Sequence, residues 1–299
     1  MTAVSAPSIV GRLPPAHGAA MNKHNLAVDP FHAGAQGDHK ADRLSTPEQR
    51  AALANELAAL RRDGYLVLKG LISADKVAAV WAEMDRLHKD TPMGRSVFEG
   101  FSTQRIYNLV AKTRVTDELL MHPTVLALSE AYLDDQIQLS VASTITSYPG
   151  QTAQVLHRDD GYYPLPRPRP PLSLNCLWAI DEFTTESGGT LVVPGSHTSP
   201  SEERPAQPPI SVEMPAGSAV LYDASLFHGG GANSSQRRAA VSTVYCRAWL
   251  RQQENQYLCV PPDIAKSIPR TMQRLIGYWV VGALLGVVEG GNCRQVLKS

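Results

Sequence analysis

A histidine and an aspartate stand two positions apart at residues 157 and 159, within the run QVLHRDDG. In an extended strand, side chains at positions i and i+2 project from the same face, so His157 and Asp159 would point into one interior. A second histidine, His228, follows about seventy residues later in front of three glycines. Two imidazoles and one carboxylate on one side of an ion, with other positions open, bind iron(II) in oxygen-activating enzymes. We therefore predict that these three residues bind a metal.

Two adjacent arginines, Arg237 and Arg238, follow His228. A guanidinium can pair with a carboxylate through two parallel hydrogen bonds, so an arginine near the metal suits a dicarboxylate cosubstrate. On strand alternation Arg238 shares its face with small residues that leave room for a ligand, at positions 240, 242, 244, 246 and 248. Arg238 is the favoured pocket arginine, and Arg237 remains the alternative.

The elements that must position these residues fall into a helical first part and a β-rich second part. Helices are predicted from Pro47, from Ser73 and near Pro123, on cap residues and apolar spacing. From Gln136 onward, short β-branched runs alternate with glycine and proline turns, which predicts strands at 137–147, 153–158, 172–180, 190–193, 218–223 and 237–249. Such strands form a sandwich or barrel, and the N-terminal helices would pack outside one sheet.

Composition limits the classes of partner. Lys and Arg together number 28, as do Asp and Glu, so the protein has no net positive charge that would attract nucleic acid or an anionic membrane. The longest apolar run, residues 275–288, is shorter than the roughly 20 residues that cross a bilayer. The N-terminus lacks the order of a secretory signal, and the four cysteines form no C-x-x-C pair. We expect a cytoplasmic protein with a small-molecule substrate.

Residues 1–44 are polar and aperiodic, and we predict that they are disordered or loosely attached. Residues 45–299 would then form one catalytic domain. Within it, a proline-rich loop at residues 163–171 carries Arg167 and Arg169 directly after the His-x-Asp run. We predict that this loop forms a rim or lid over the site, and that Tyr162 and Arg167 contact the substrate.

Three motifs together resemble the phytanoyl-CoA dioxygenase family. They are His157-Arg-Asp159, the run SGGTLVVPGSH at residues 187–197, and FHGGGAN at residues 227–233 followed by Arg238. The resemblance covers about residues 46–290, and residues 148–160 are especially similar to members that act in natural-product pathways. It implies a mainly β fold, a double-stranded β-helix or jelly-roll core of cupin type. It also implies Fe(2+), 2-oxoglutarate and O2, with a homodimer as a compatible assembly.

The same resemblance suggests roles for single residues. His157, Asp159 and His228 would bind the iron and Arg238 would anchor 2-oxoglutarate, while Gln154 and Thr190 would form hydrogen bonds with it. Asn108 matches a position that faces substrate. Family members that install halogen have a small residue in place of the carboxylate, so Asp159 favours hydroxylation or another oxidation.

The favoured hypothesis is a dioxygenase that hydroxylates a C–H bond of a small, apolar metabolite while 2-oxoglutarate is converted to succinate and CO2. Two alternatives remain open because a fold does not fix a function. One is a non-catalytic or sensory metal-binding β-barrel, and the other is a cupin-type metal-dependent isomerase or hydrolase. Desaturation, epoxidation and rearrangement use the same iron centre, so sequence does not choose among these oxidations.

Overall fold

A computed structural model describes residues 44–282 and 284–298 of the chain. The extension predicted at residues 1–44 falls, apart from Leu44, outside the described residues. The α-helices are α1 (Pro47–Ala51), α2 (Ala54–Asp63), α3 (Ala74–His88), α4 (Leu109–Lys112), α5 (Asp117–Leu120), α6 (Pro123–Tyr132), α7 (Gln256–Cys259), α8 (Pro262–Ala265) and α9 (Arg270–Leu275). Two 3-10 turns are at Ser196–Thr198 and Cys293–Leu297.

The first helices begin and end where their capping residues predict. The Thr46 hydroxyl accepts a hydrogen bond from Gln49 N–H, and the Gln49 side-chain oxygen accepts one from Thr46 N–H, which is a capping box. Helix α2 ends at Gly64, whose φ of 79° is the left-handed conformation that glycine adopts without strain. The Ser73 hydroxyl caps α3 by accepting a hydrogen bond from Lys76 N–H. These stops place β1 directly after α2.

The strands form two sheets. They are β1 (Tyr65–Leu68), β2 (Thr103–Ile106), β3 (Ile137–Ser147), β4 (Ser173–Ala179), β5 (Thr190–Val192), β6 (Ile210–Val212), β7 (Ala219–Asp223), β8 (His228–Gly230) and β9 (Arg238–Arg247). The larger sheet has the order β1-β7-β4-β9-β3-β2 and the smaller has the order β6-β5-β8, with antiparallel pairing throughout. The predicted mainly β fold with flanking helices is confirmed.

The helices cover one face of the larger sheet. Leu60 of α2, Met84 of α3 and Leu128 of α6 belong to the same buried cluster as Trp178 and Tyr245 of the sheet. A second apolar cluster lies on the opposite face and joins the two sheets, through Leu177, Val192, Val212, Val220 and Leu226. The space between the sheets is therefore partly filled, and its remainder is available for a site. Among the described residues, no helix combines the length and apolar character needed to span a membrane.

Two details differ from the prediction. Residues 153–158 do not form a strand, but an extended segment that makes a single β-bridge, between His157 and His228. No prediction covered β2 or β6, which are short and lack a sustained β-branched run. Strand β2 pairs with the end of β3 and forms the edge of the larger sheet next to the site.

Candidate active site

The three predicted metal ligands converge although His228 is distant along the chain. The backbone N–H of His157 donates to the His228 carbonyl at 2.9 Å, and the reverse bond measures 3.0 Å. This pairing places the two imidazole centroids 4.5 Å apart. One potential ligand atom from each of His157, Asp159 and His228 lies within 4.8 Å of the other two. A single ion could contact all three.

Backbone carbonyls orient both imidazoles. Nδ1 of His157 lies 2.8 Å from the Val155 carbonyl, and Nδ1 of His228 lies 2.9 Å from the Leu226 carbonyl. A carbonyl only accepts hydrogen bonds, so each Nδ1 carries a proton, and in the neutral ring Nε2 has the lone pair that can bind a metal. The Nε2 atoms lie 3.4 Å and 3.2 Å from the carboxylate oxygens of Asp159. Such carbonyl contacts commonly hold histidine ligands in place.

The carboxylate of Asp159 is kept ionised. Burial alone would raise its pKa, but the charge of His228 and hydrogen bonds from both histidines outweigh burial and hold the pKa of Asp159 well below its usual range. The pKa of His157 is raised, because its bonds to Asp159 and Val155 together outweigh the effect of burial. Two imidazole nitrogens and one anionic oxygen on one side of a common point are a donor set that fits iron(II).

A cavity of about 470 Å³ opens beside the three residues, between the sheets. Three glycines follow His228, and they allow the segments around it to approach closely. A Cβ added to Gly231 would lie 2.6 Å from the Gly189 carbonyl oxygen, which is closer than atoms tolerate. The cavity therefore has a backbone wall of β8 on one side and the side chains of the larger sheet on the other.

Arg238 lines this cavity, as strand alternation predicts. It is 5% exposed, and its Nε has no hydrogen-bond partner within the part of the chain that the structure describes. Burial and the nearby charge of Arg105 lower the pKa of Arg238 to about 10. Arg237 points away, with its guanidinium 3.2 Å from the centroid of the Trp81 ring and 3.4 Å from a carboxylate oxygen of Asp181. Geometry therefore favours Arg238 over Arg237 as the pocket arginine.

Gln154, Thr190 and Tyr162 also line the cavity. The Gln154 side chain is already engaged at both ends, because its oxygen accepts from Gly230 N–H at 2.8 Å and its nitrogen donates to the Phe98 carbonyl at 2.7 Å. It therefore ties the loop that carries Phe98 to strand β8. The cosubstrate contact predicted for Gln154 stays a prediction, as does that of Thr190.

Asn108 and Arg167, which we expected to contact substrate, are not among the described residues that line this cavity. Asn108 has a left-handed φ of 57°, which turns its side chain away, and its amide donates to the Cys259 carbonyl. The neighbouring Tyr107 lines the cavity instead. Arg167 is buried in ion pairs with Asp160 and Glu202 rather than placed on a rim. The charge of Asp160 draws it inward.

Sequence reasoning missed four cavity residues. Alternation on β2, β4 and β7 places Arg105, Asn175 and Tyr222 on the inner face, and the loop before β2 contributes Phe98. Asn175 was detectable as a lone amide in an apolar strand, and its Nδ2 donates to Asp159 Oδ2 at 2.9 Å. The Tyr222 ring packs 4.5 Å from the His228 ring, centroid to centroid. The Phe98 ring meets His157 edge-on at 5.1 Å.

Comparison with known proteins agrees with this geometry. A sequence profile described as phytanoyl-CoA dioxygenase (PhyH) matches residues 60–240. Dioxygenase olcK of Penicillium canescens is 33% identical over 273 residues, which cover 84% of this chain and 90% of the relative. Dioxygenase trt7 of Aspergillus terreus is 30% identical and covers 79% and 85%, respectively.

Solved structures give the same result for the fold. The non-heme alpha-ketoglutarate-dependent epimerase SnoN from nogalamycin biosynthesis superposes with a TM-score of 0.57 at 27% identity, over 66% of this chain and 84% of that one. HygX from Streptomyces hygroscopicus, solved with nickel, 2-oxoglutarate and hygromycin B, has a TM-score of 0.57 at 16% identity, over 67% and 89%. The predicted double-stranded β-helix core is thereby confirmed. This chain belongs to the phytanoyl-CoA dioxygenase family and is an enzyme of the dioxygenase class.

Proposed function

We propose that this enzyme is an iron(II)- and 2-oxoglutarate-dependent dioxygenase that hydroxylates a small apolar metabolite. The observation that carries the proposal is the position of the three ligands His157, Asp159 and His228 at the wall of a cavity that also contains Arg238. A metal site of two histidines and one carboxylate leaves other coordination positions open for ligands.

The charges in the cavity support a doubly anionic cosubstrate. Arg238 and Arg105 both line it, and their mutual repulsion contributes to the lowered pKa of Arg238. A buried cation without a partner is unfavourable, and a carboxylate that pairs with its guanidinium would remove most of that penalty. 2-Oxoglutarate has one carboxylate for Arg238 and a second, beside its keto group, that can reach the metal. The structural neighbours SnoN and HygX are named for, or solved with, this cosubstrate.

The residues of the chain would divide the work as follows. His157, Asp159 and His228 would hold iron(II), and Arg238 would orient 2-oxoglutarate. When both are bound with O2, they supply an oxidant for a C–H bond and leave succinate and CO2 as co-products. The apolar side chains around the cavity would hold the substrate and exclude water: Phe98, Val141, Ile145, Leu177 and Val244.

The apolar part of this lining is the basis for the substrate class, and the relatives support a place in secondary metabolism. Hydroxylation rather than halogenation is proposed as the reaction, because Asp159 stands where members that install halogen have a small residue. SnoN is described as an epimerase and SnoK as a carbocyclase, both from nogalamycin biosynthesis, so the same fold supports other oxidations. Product analysis by mass spectrometry distinguishes these outcomes, since hydroxylation adds one oxygen atom to the substrate.

The direct test is succinate formation by purified enzyme with iron(II), 2-oxoglutarate and O2. We expect a slow turnover of 2-oxoglutarate without substrate that is lost in His157→Ala and retained in His197→Ala, since His197 lies outside the cavity lining. Equal turnover in wild type and His157→Ala would refute the ligand assignment. Metal binding without any succinate would instead favour a non-catalytic or sensory protein, or a cupin-type isomerase or hydrolase.

A further inference from the structure

Strand β4 contains a buried amide in otherwise apolar surroundings. Asn175 is 2% exposed, and every residue of β4 is buried. Its Cα partners are Tyr222 on β7 and Val244 on β9, so it lies in the interior of the larger sheet and faces the cavity. Burying an amide without hydrogen bonds costs about 1–3 kcal/mol. A side chain at this position therefore needs a specific partner.

That partner is the carboxylate of Asp159, on the opposite wall of the cavity. Asn175 Nδ2 donates to Asp159 Oδ2 at 2.9 Å, which is ordinary hydrogen-bond geometry. The other oxygen, Oδ1, faces His157 Nε2 at 3.4 Å. The contact thus joins Asp159, on the extended segment, to β4, which is an interior strand of the larger sheet.

Rotation of an aspartate carboxylate about its last torsion is only weakly restricted by the side chain itself. A hydrogen bond to one oxygen fixes that rotation and draws electron density toward Oδ2. Because this bond occupies a lone pair of Oδ2, Oδ1 is the oxygen left to bind a metal, and coordination through both oxygens is disfavoured. A six-coordinate ion with two imidazoles and one carboxylate oxygen retains three positions, which are enough for a bidentate keto acid and O2.

We propose that Asn175 is a positioning residue that holds Asp159 as a single-oxygen ligand and so keeps the third open position on the metal. This inference rests on the proposed function, because it assigns Asn175 a task toward the same metal. Partners of this kind change metal affinity or activity by about 10–100-fold when they are removed.

The experiment measures metal binding without turnover. Calorimetric titration with Mn²⁺ under anaerobic conditions is made on wild type, Asn175→Leu and the smaller variant Asn175→Ala. Cys176→Ala is the matched control, since Cys176 is equally buried on β4 but belongs to the cluster on the helix-covered face. We expect the Mn²⁺ dissociation constant to rise about 10–100-fold in both Asn175 variants and to remain unchanged in Cys176→Ala.

A second measurement separates positioning from packing. The visible absorption of bound Co²⁺ reports its coordination, and we expect a changed band shape in Asn175→Leu but not in Cys176→Ala. Wild-type affinity together with a wild-type spectrum in either folded Asn175 variant overturns the inference. If the proposed function itself were wrong, wild type would not bind Mn²⁺ at this site. The titrations of wild type and His157→Ala would then be the same.

Discussion

Replacing Arg238 by methionine should stabilise the isolated enzyme and abolish its response to 2-oxoglutarate. Arg238 is 5% exposed and bears a charge whose pKa is lowered to about 10, by burial first and by Arg105 second. A lowered pKa means that the folded state disfavours the protonated form. The penalty is therefore complete at neutral pH and disappears only as pH rises from about 10 toward the ordinary arginine pKa.

The size of the effect follows from that shift. At about 1.4 kcal/mol for each tenfold change in proton affinity, the shift corresponds to about 3 kcal/mol of unfavourable free energy. The guanidinium lies 4.8 Å from the centroid of the Phe183 ring, and loss of this contact costs about 1 kcal/mol. The cost of burying the charge is larger than the contribution of the ring contact, so Arg238→Met should increase the free energy of unfolding by about 2 kcal/mol. This raises the Tm by about 4–8 °C in a domain of this size.

Binding of 2-oxoglutarate should change in the opposite direction. Truncating one partner of a buried, hydrogen-bonded charge pair costs about 2–5 kcal/mol, which is about 30-fold to 3000-fold in the dissociation constant. A ligand at a hundred times its dissociation constant stabilises the wild type by about 2.7 kcal/mol, so its Tm should rise with 2-oxoglutarate while that of Arg238→Met should not.

The assay is thermal unfolding with and without 2-oxoglutarate in the presence of Mn²⁺. Arg237→Met is the matched control, because Arg237 contacts Trp81 and Asp181 outside the cavity. It should lose about 1 kcal/mol of stability and keep the full response to 2-oxoglutarate. A destabilised Arg238→Met that still responds to 2-oxoglutarate like wild type would refute the reasoning.

Three further predictions concern residues next to the site. Asp160→Ala removes the buried carboxylate that Arg167 and Arg169 share, and leaves Arg167 only the exposed carboxylate of Glu202. It should lower the free energy of unfolding by about 3–5 kcal/mol in urea titrations, and an effect below about 1 kcal/mol would contradict this. Burial would raise the pKa of Asp160, but hydrogen bonds from Arg167, Ser225 and Arg169 outweigh it and lower the pKa. The stability from this clamp is therefore present above the usual aspartate pKa and lost as pH falls below about 4, which acid unfolding of wild type and Asp160→Ala should show as converging curves. Gln154→Leu removes two hydrogen bonds and should speed hydrogen exchange of backbone amides in residues 94–102, whereas unchanged exchange would show that Gln154 does not hold this loop. Phe98→Ala should change the Tm by less than about 2 °C, because Phe98 is 60% exposed. It should raise the KM for the substrate but not the KM for 2-oxoglutarate. A KM for the substrate equal to that of wild type would show that Phe98 does not contact the substrate.

Sequence was informative where a local rule governs the structure. Strand alternation placed Arg238 in the cavity and Arg237 outside it. The caps at Thr46 and Ser73 gave correct helix starts. Each of these features depends on residues within a few positions of one another.

Features that depend on distant partners were not accessible in the same way. Arg167 was predicted on the rim because its loop follows the site, but the buried carboxylate of Asp160 draws it inward. Asn108 was predicted to face the substrate, but its left-handed backbone conformation, which no local sequence pattern indicates, leaves it outside the cavity lining. Arg105 and Asn175 reach the cavity only because β2 and β4 join the larger sheet at particular registers. The domain limits and the homodimer stay predictions.

The two histidine ligands are joined by reciprocal backbone bonds rather than by the chain that runs between them. Continuity of the polypeptide from residue 160 to residue 227 is thus unnecessary for the centre itself, provided that the two segments can pair. The stretch 203–208 is largely exposed and offers a place to divide the enzyme. Two separately expressed fragments cut there should reassemble their ligands on mixing, so that metal affinity becomes a sensor of fragment association.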